Sequence, residues 1–550
     1  MPWMPKWNRR LALLGGAAAA IAGGFALKGG AASRSRAEPG TFYFANAAEP
    51  FTLDPNLADS SWENYIIGDL MMGLTTEDTM GRPVPGIAER WETSPDGLTW
   101  TFHLRDALWS DGAPVTADDF IFAWRRVLDP KLAASNAYFP YIIKNGEKIN
   151  AGHLPGTALG AAAPDPRTLV ITLEHPVPYL TEILMHYSMM PVPRHVVEKY
   201  GRAWPKPGTY VSNGAFMLTE WIPNDHVTAV KNPRFFDAAN VKLERIVWYP
   251  VDDYSAGLSR LRAGELDATD RLENNEFGWI KKNMPELIDP VPQLIIDMVQ
   301  VNLTKKPYDD IRVRRAINLA INREAITGKI VPVGYVPAYN MVPPNTANFP
   351  GGNALDFQSL PYPARYAQAQ ALMRAAGFGP DNRLKAGFMI RSTAPGYQRA
   401  LSAALQQMLA LIYLDISIIP SDGQVFYKQI QEHDFDIAMP GWQADFDDAS
   451  NFLDLFRTGG GNNWGNYANS AYDRVLDAAA ADTGLESRGE KLKSAEAILL
   501  KDQAVMPLFF WVNGNLVRPY VKGFDANNMD VHRSRWVSID EKARAALFAS

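Results

Sequence analysis

Apolar and polar residues recur with two different periods over residues 385–439, and this pattern predicts strands and helices in turn. Strands are predicted at 385–390, 414–419 and 435–439, and helices at 394–412 and 426–432. Strands that alternate with helices indicate βαβ units and a parallel sheet. Ligands of such sheets bind in the crevice beyond the carboxyl ends of the strands.

Residues 441–448 follow the last of these strands and contain Trp442 and the acids Asp445, Asp447 and Asp448. Their position predicts one wall of a ligand cleft. The alternative is a solvated turn that happens to be acidic. A calcium loop would need a glycine at its sixth position and a glutamate at its twelfth, which are missing here. A phosphoryl-accepting aspartate would need a partner lysine, and none is evident.

The passage from residue 88 to 130 combines strand, turn and helix signals. Alternation over 100–104 predicts a strand with one buried face. Thr116 and Asp119 form a capping-box pattern that predicts the start of a helix over 118–127. Four tryptophans are expected to pack the core of a small domain, because aromatic side chains bury large apolar areas: Trp91, Trp100, Trp109 and Trp124.

The same patterns predict further elements along the chain. The predicted strands lie at 41–44, 169–173, 246–249 and 505–512, and the predicted helices at 62–72, 311–326, 362–376 and 487–502.

Residues 1–37 have the pattern of an export signal. Lys6, Arg9 and Arg10 precede an Ala/Gly-rich apolar run over 11–27, and small residues at Ser35 and Ala37 suit a signal peptidase. The arginine pair also resembles a twin-arginine signal, so Sec and twin-arginine export both stay open. A retained membrane anchor is the alternative, although the run is shorter than the roughly 20 residues of a spanning helix.

Composition narrows the class of protein. The 550 residues include no cysteine, which excludes disulfides, thiolate metal sites, a cysteine nucleophile and a lipid-bearing cysteine. The formal net charge is −6, and without the basic leader it would be −12. So acidic a chain is a poor partner for nucleic acid, whose phosphates require surplus lysine and arginine.

Several motifs together resemble the family 5 extracellular solute-binding proteins, the oligopeptide and dipeptide binders of bacterial ABC importers. The matching segments are 85–91, 100–105, 109–120, 174–179, 211–216, 262–267, 310–316 and 441–446. The resemblance implies a two-lobed α/β periplasmic binding protein (type II, cluster C) with an extra small domain and a ligand in a closable interlobe cleft. It places the domains as follows: discontinuous lobe I over 38–61, 191–295 and 512–550, the small domain over 62–190, and lobe II over 296–511.

A peptide ligand always carries a terminal ammonium on an extended backbone, and an enclosed cation needs a carboxylate. The resemblance implies that Asp445 is this carboxylate and that Gly441 and Gln443 pair with the ligand backbone. The other residues it places in the cleft are the pocket residues Trp442 and Trp511, the acid Glu49 and the tyrosine Tyr138.

The chain departs from the family at the far end of the ligand. Cations that would meet a ligand carboxylate are replaced by Met439 and Val331, and a family histidine aligns roughly with Tyr397. Arg391 or Arg271 is the candidate substitute.

The expected function is therefore capture of oligopeptides in the periplasm by a monomer that delivers them to an inner-membrane ABC permease. No cofactor, metal or nucleic acid is expected. Within the family the alternative ligands are a cell-wall peptide, an opine-like compound or a metal chelate. A periplasmic amidase or peptidase is the alternative from another class, but the G-x-S-x-G, H-E-x-x-H and G-x-G-x-x-G motifs are absent.

Overall fold

The computed structural model describes residues 38–272, 276–392 and 397–549. The leader predicted over residues 1–37 lies outside these ranges, as does the start of the helix predicted at 394–412. Over the described residues, no helix combines the length and the apolar character needed to cross a bilayer.

The strands are numbered in chain order. They are β1 Thr41–Asn46, β2 Thr75–Glu77, β3 Pro83–Pro85, β4 Ala88–Thr93, β5 Thr99–Leu104, β6 Ala161–Asp165, β7 Thr168–Thr172, β8 Phe216–Ile222, β9 His226–Lys231, β10 Arg245–Pro250, β11 Ala268–Thr269, β12 Pro292–Val301, β13 Val336–Pro337, β14 Leu384–Arg391, β15 Leu414–Ser421, β16 Ile437–Ala438, β17 Gly441–Gln443, β18 Met506–Val512, β19 Leu516–Val517, β20 Val521–Lys522 and β21 Ser538–Ile539.

The α-helices are α1 Ser61–Leu70, α2 Ala117–Val127, α3 Gly146–Asn150, α4 Leu180–Ile183, α5 Arg194–Tyr200, α6 Tyr254–Ala263, α7 Phe277–Asn283, α8 Ile311–Ala320, α9 Arg323–Ala325, α10 Tyr362–Ala375, α11 Tyr397–Ala410, α12 Gly423–Gln431, α13 Ser450–Leu453, α14 Ser470–Ala480, α15 Leu485–Lys501 and α16 Glu541–Ala549. Short 3-10 turns lie at Phe139–Ile142, Gly156–Ala158, Tyr187–Met189, Gly201–Ala203, Pro285–Leu287, Asp454–Phe456 and Ser534–Trp536, and a π turn lies at Ile326–Ile330.

Two large sheets define two lobes. Sheet I has the strand order β19-β11-β1-β10-β9-β8, and sheet II has the order β13-β18-β12-β16-β14-β15, with β17 added on β12. In sheet II, β14 runs parallel to β15 and β16, as the βαβ pattern predicts, while β12 is antiparallel to β16, β17 and β18. The sheet is therefore mixed, because β12 and β18 enter it from outside the βαβ units.

The lobes are joined where β12 and β18 leave sheet II. The Val291 amide donates to the Asn513 side chain at 2.7 Å, and the Asn513 amide donates back to the Val291 carbonyl at 3.1 Å. Two crossing segments held side by side in this way are the expected position of a hinge.

A small antiparallel sheet of order β4-β5-β7-β6 forms the small domain. Its strand β5 buries every second side chain, and α2 begins with a capping box between Thr116 and Asp119, so both local predictions are confirmed. Trp100, Trp109 and Trp124 are buried in the core and Trp91 packs against it. The strands of the three sheets fall within the predicted domain ranges, except that β12 begins before residue 296 and β18 ends at residue 512; the exact boundaries stay a prediction.

One predicted helix is wrong in extent. The apolar spacing over 311–326 predicts one helix, but α8 ends at Ala320 because Ile321 adopts an extended conformation. The Asn322 side chain then accepts a hydrogen bond from the Ala325 amide and starts α9. An asparagine that bonds its own backbone in this way favours a helix start over a helix interior.

Candidate binding cleft

The strand β17 forms a short ledge on lobe II. It pairs antiparallel with β12, so that Gly441 lies opposite Asp297 and Gln443 opposite Ile295. Among the strands that the structure describes, β12 is its one partner. The segment predicted as a cleft wall therefore has one backbone edge bound and the other edge unpaired with a strand.

The bonding pattern determines which residues face the free edge. The Pro440 carbonyl accepts from β12 at 3.1 Å and the Ala444 amide donates to β12 at 2.9 Å. Because hydrogen-bonded pairs alternate in an antiparallel ladder, Trp442 is the next residue bonded to β12. Gly441 and Gln443 consequently direct their N–H and C=O groups away from β12.

The carboxylate of Asp445 lies just beyond this ledge and next to the Tyr138 hydroxyl of the small domain. Burial raises the pKa of Asp445 to about 6, and the Tyr138 hydroxyl acts in the opposite direction. Burial and the neighbouring Asp445 raise the pKa of Tyr138 well above its ordinary value. The structure thus brings together an acid of lobe II and a tyrosine of the small domain. Within the described part of the chain, no arginine or lysine shifts the pKa of this acid.

The other two acids of the run are buried, so the alternative of a solvated acidic turn does not hold for them. Asp448 is fully buried and binds Arg488 of α15 through both carboxylate oxygens, at 2.6 and 2.8 Å. Asp447 is also buried and accepts hydrogen bonds from the Ala347 amide and the Asn528 side chain, both at 2.7 Å. Both are tied into the fold by partners distant in sequence.

Trp442 is half-buried, on the opposite face of β17 from Asp297. Its indole N–H donates to Asn451 at 2.8 Å, and its ring packs edge-on against Trp464 at 6.0 Å. Its polar atom is therefore occupied within lobe II, and what remains for a ligand is ring surface.

Trp511 and Tyr397 converge on Asp297, beside the other end of the ledge. The Tyr397 hydroxyl donates to Asp297 at 3.0 Å, and the Trp511 indole lies 3.4 Å from the second carboxylate oxygen. Burial raises the pKa of Asp297 to about 6, although Tyr397, Arg391 and Trp511 each act to lower it. A Cβ on Gly441 would lie 2.7 Å from this carboxylate, so a glycine is needed there.

Glu49 does not join these residues. Its carboxylate accepts from the Trp221 indole at 2.7 Å and from the Asn224 amide at 3.0 Å, both within sheet I and its connecting turn. The structure thus gives Glu49 a bonding role inside lobe I; contact with a ligand stays a prediction.

The candidate substitute cations differ in their surroundings. Arg271 faces Asp270 at 3.9 Å. Arg391 lies at the carboxyl end of β14, 5.9 Å from the Tyr427 ring, and its buried Nε has no acceptor among the described residues. Met439 and Val331, which the resemblance predicts to replace cations, are both buried in the apolar core.

Asp297 is the residue that sequence reasoning missed. It is the one acid of β12, a strand that is otherwise mostly apolar. A lone acid inside a strand that is expected to be buried was the available signal, since a buried charge requires partners. Metal sites are not indicated: over the described residues no group of three or more His, Asp or Glu side chains could hold an ion.

Comparison with known proteins agrees with this architecture. Residues 82–464 match the model of the bacterial extracellular solute-binding proteins, family 5 Middle. The periplasmic oligopeptide-binding protein OppA of Haemophilus influenzae is 34% identical over 495 residues, which cover 88% of this chain and 91% of that protein.

Solved structures are similar over nearly the whole length. The periplasmic murein tripeptide binding protein MppA, in its unliganded open form, has a TM-score of 0.82 at 32% identity and covers 92% of this chain and 98% of its own. Haemophilus influenzae OppA in complex with RPPGFSPFR has a TM-score of 0.74 at 32% identity, covering 91% of this chain and 99% of its own. The two-lobed type II fold and its cleft are therefore common to these proteins, and the chain belongs to the family 5 bacterial extracellular solute-binding proteins.

Proposed function

We propose that this protein captures oligopeptides in the periplasm and delivers them to an inner-membrane ABC permease, without making or breaking a bond. The observation that carries the proposal is the free backbone edge of Gly441 and Gln443 beside the unneutralised carboxylate of Asp445. An extended backbone and a terminal ammonium are the two features that all peptides share, and this ledge offers a partner for each.

In this account a peptide adds to β17 as a further strand. The outward N–H and C=O groups of Gly441 and Gln443 bond to its backbone, which is a mode of recognition that ignores side chains. Asp445 receives the α-ammonium, and Tyr138 supports the ionised form of Asp445 from the small domain. Trp442 and Trp511 offer ring surface to the ligand side chains.

We expect the cleft to close over its ligand, because residues on its two sides contact each other. Tyr179 of the small domain stacks on Phe446 at 5.4 Å, and the Arg488 guanidinium lies 4.3 Å from the Tyr179 ring centroid. A ligand that also contacts both sides favours the closed form over the open one. We therefore expect the radius of gyration in small-angle scattering to fall on saturation with a peptide.

The finer expectations belong to the same proposal. Residues 1–37 act as an export leader and are removed, no lipid anchor is attached, and the protein works as a monomer. N-terminal sequencing of protein from a periplasmic extract tests the first of these points: a chain that begins at residue 38 is expected.

The test of the proposal is to identify what the protein carries and whether it changes it. Protein purified without refolding is denatured, and the released small molecules are identified by mass spectrometry. Peptides with free N-termini are expected. The emptied protein is then incubated with the same peptides, which should be recovered intact. Cleaved peptides would contradict pure binding, and a carried ligand without a peptide backbone would contradict the ligand class.

A further inference from the structure

Asp297 lies in an aromatic enclosure next to the ledge. The Trp511 ring stacks on Tyr335 at 5.3 Å and meets Tyr397 edge-on at 6.2 Å, and both Trp511 and Tyr397 direct a polar hydrogen at the carboxylate. The Asp297 side chain is only 2% exposed. A carboxylate buried in this way attracts a cation through its charge, because few groups around it compensate that charge.

The charge of Asp297 is not neutralised by direct contact. Arg391 is close enough to lower its pKa, but the two side chains form no ion pair. A carboxylate accepts about four hydrogen bonds, and within the described part of the chain Asp297 receives two, one of them long. A buried carboxylate in this condition has both charge and acceptor capacity left for a partner.

The ledge brings a ligand to this carboxylate. Gly441, whose backbone groups face the free edge, lies directly opposite Asp297, and the absent side chain leaves the carboxylate next to the strand. Trp511 and Gly441, which both lie next to the carboxylate, are partly exposed.

We propose that Asp297 is a second cation-binding subsite, which receives the amine or guanidinium of a basic ligand side chain and makes the protein selective for basic peptides. This inference rests on the proposed peptide-binding function. Asp445 receives the ammonium common to all peptides, whereas Asp297 distinguishes one peptide from another.

The experiment is a calorimetric scan of tetraalanine peptides in which one of positions 2, 3 and 4 carries lysine or its uncharged isostere norleucine. At one position the wild type should bind the lysine peptide at least about tenfold more tightly than the norleucine peptide. Asp297→Asn should reduce that ratio to within about threefold and leave the norleucine affinity unchanged, which also shows that the variant is folded. Arg391→Gln should increase the ratio, because it removes a cation that competes for Asp297.

Each other outcome has a definite meaning. Equal or weaker binding of lysine at all three positions overturns the subsite, and so does an Asp297→Asn variant that loses affinity for lysine and norleucine peptides alike. Peptides that do not bind the wild type at all contradict the proposed function itself. Tight binding of the norleucine peptides without lysine selectivity contradicts the subsite alone.

If Asp297→Asn does not fold, the pH dependence of peptide binding by the wild type still tests the proposal. Asp297 gains a proton as the pH falls through about 6, so the ratio of lysine to norleucine affinity should collapse between pH 7.5 and pH 5. Around the enclosure, Tyr335 and Tyr397 stay neutral in this range, because burial raises the pKa of both hydroxyls, and Arg271, whose pKa is raised beside Asp270, stays charged. Titration of Asp445 or Asp270 affects both peptides and cancels in the ratio. A ratio that stays constant overturns the proposal.

Discussion

Asp445 and Asp448 stand three residues apart in one acidic run, yet their surroundings are opposite. Asp448 is fully buried and bound through both oxygens to Arg488, a residue of α15. Asp445 is half-buried, has a tyrosine hydroxyl beside it and is raised in pKa to about 6 by burial. Asp448 has its cation within the fold, whereas none of the described residues supplies one to Asp445.

The difference separates a structural charge from a binding charge. Breaking a buried ion pair leaves an uncompensated charge and destabilises the fold. A buried carboxylate without a cation already destabilises the fold, and a ligand cation relieves that cost. Asp448 is therefore expected to matter for stability and Asp445 for affinity.

The largest expected effect on stability belongs to Asp448. Asp448→Asn should lower the free energy of unfolding by about 3–5 kcal/mol, because the Arg488 guanidinium loses its partner in a buried place. Urea denaturation measures this. The matched control is Glu198→Gln, which breaks the exposed 2.8 Å pair of Glu198 with Arg194 and should cost less than about 1 kcal/mol. Equal losses in the two variants would contradict the structural role of Asp448.

The next effect has the opposite sign. In the folded protein the pKa of Asp445 is raised above its ordinary 3.8. Asp445 therefore contributes to the stability of the fold at low pH, and this contribution is lost as the pH rises through about 6. Asp445→Asn removes that loss and should stabilise the ligand-free protein at pH 7.5 by about 1–2 kcal/mol. The gain should vanish near pH 4. A variant less stable than the wild type at pH 7.5 would show that Asp445 already has a cation.

The smallest effect is expected at Tyr138. Tyr138→Phe removes the hydroxyl that supports the ionised form of Asp445, so the pH midpoint of peptide affinity should rise and affinity near pH 6 should fall by about threefold to tenfold. Tyr141→Phe is the control, because the Tyr141 hydroxyl donates to Asn150 of the same small domain at 2.6 Å. Identical pH profiles in the two variants would separate Tyr138 from the site.

Sequence patterns predicted the parts of this molecule that local chemistry determines. The alternation over 100–104 and the capping pair Thr116 and Asp119 depend on neighbours a few residues away, and both are confirmed. The family motif predicts a binding role for Gly441 to Asp445; the structure places the unpaired backbone edge beside the acid, and the binding role itself stays a prediction. The one helix predicted over 311–326 is wrong because the Asn322 side chain competes for the backbone.

Long-range partners could not be read from the sequence. The burial of Asp448 depends on Arg488, 40 residues further on, and that of Asp447 on Ala347 and Asn528. The enclosure of Asp297 depends on Tyr397 and Trp511, which lie on α11 and β18. Periodicity reports which side of an element is buried, but not which distant side chain meets it there.

The most direct test of the account is the affinity of Asp445→Asn for one peptide with a free amine and for the same peptide N-acetylated. Calorimetry at pH 7.5 should show that the substitution weakens the free-amine peptide by about a hundredfold to a few thousandfold, since it leaves a buried ammonium without its anion. The acetylated peptide should bind the wild type weakly and lose less than about tenfold on substitution. If Asp445→Asn binds the free-amine peptide as tightly as the wild type does, Asp445 is not the ammonium receptor.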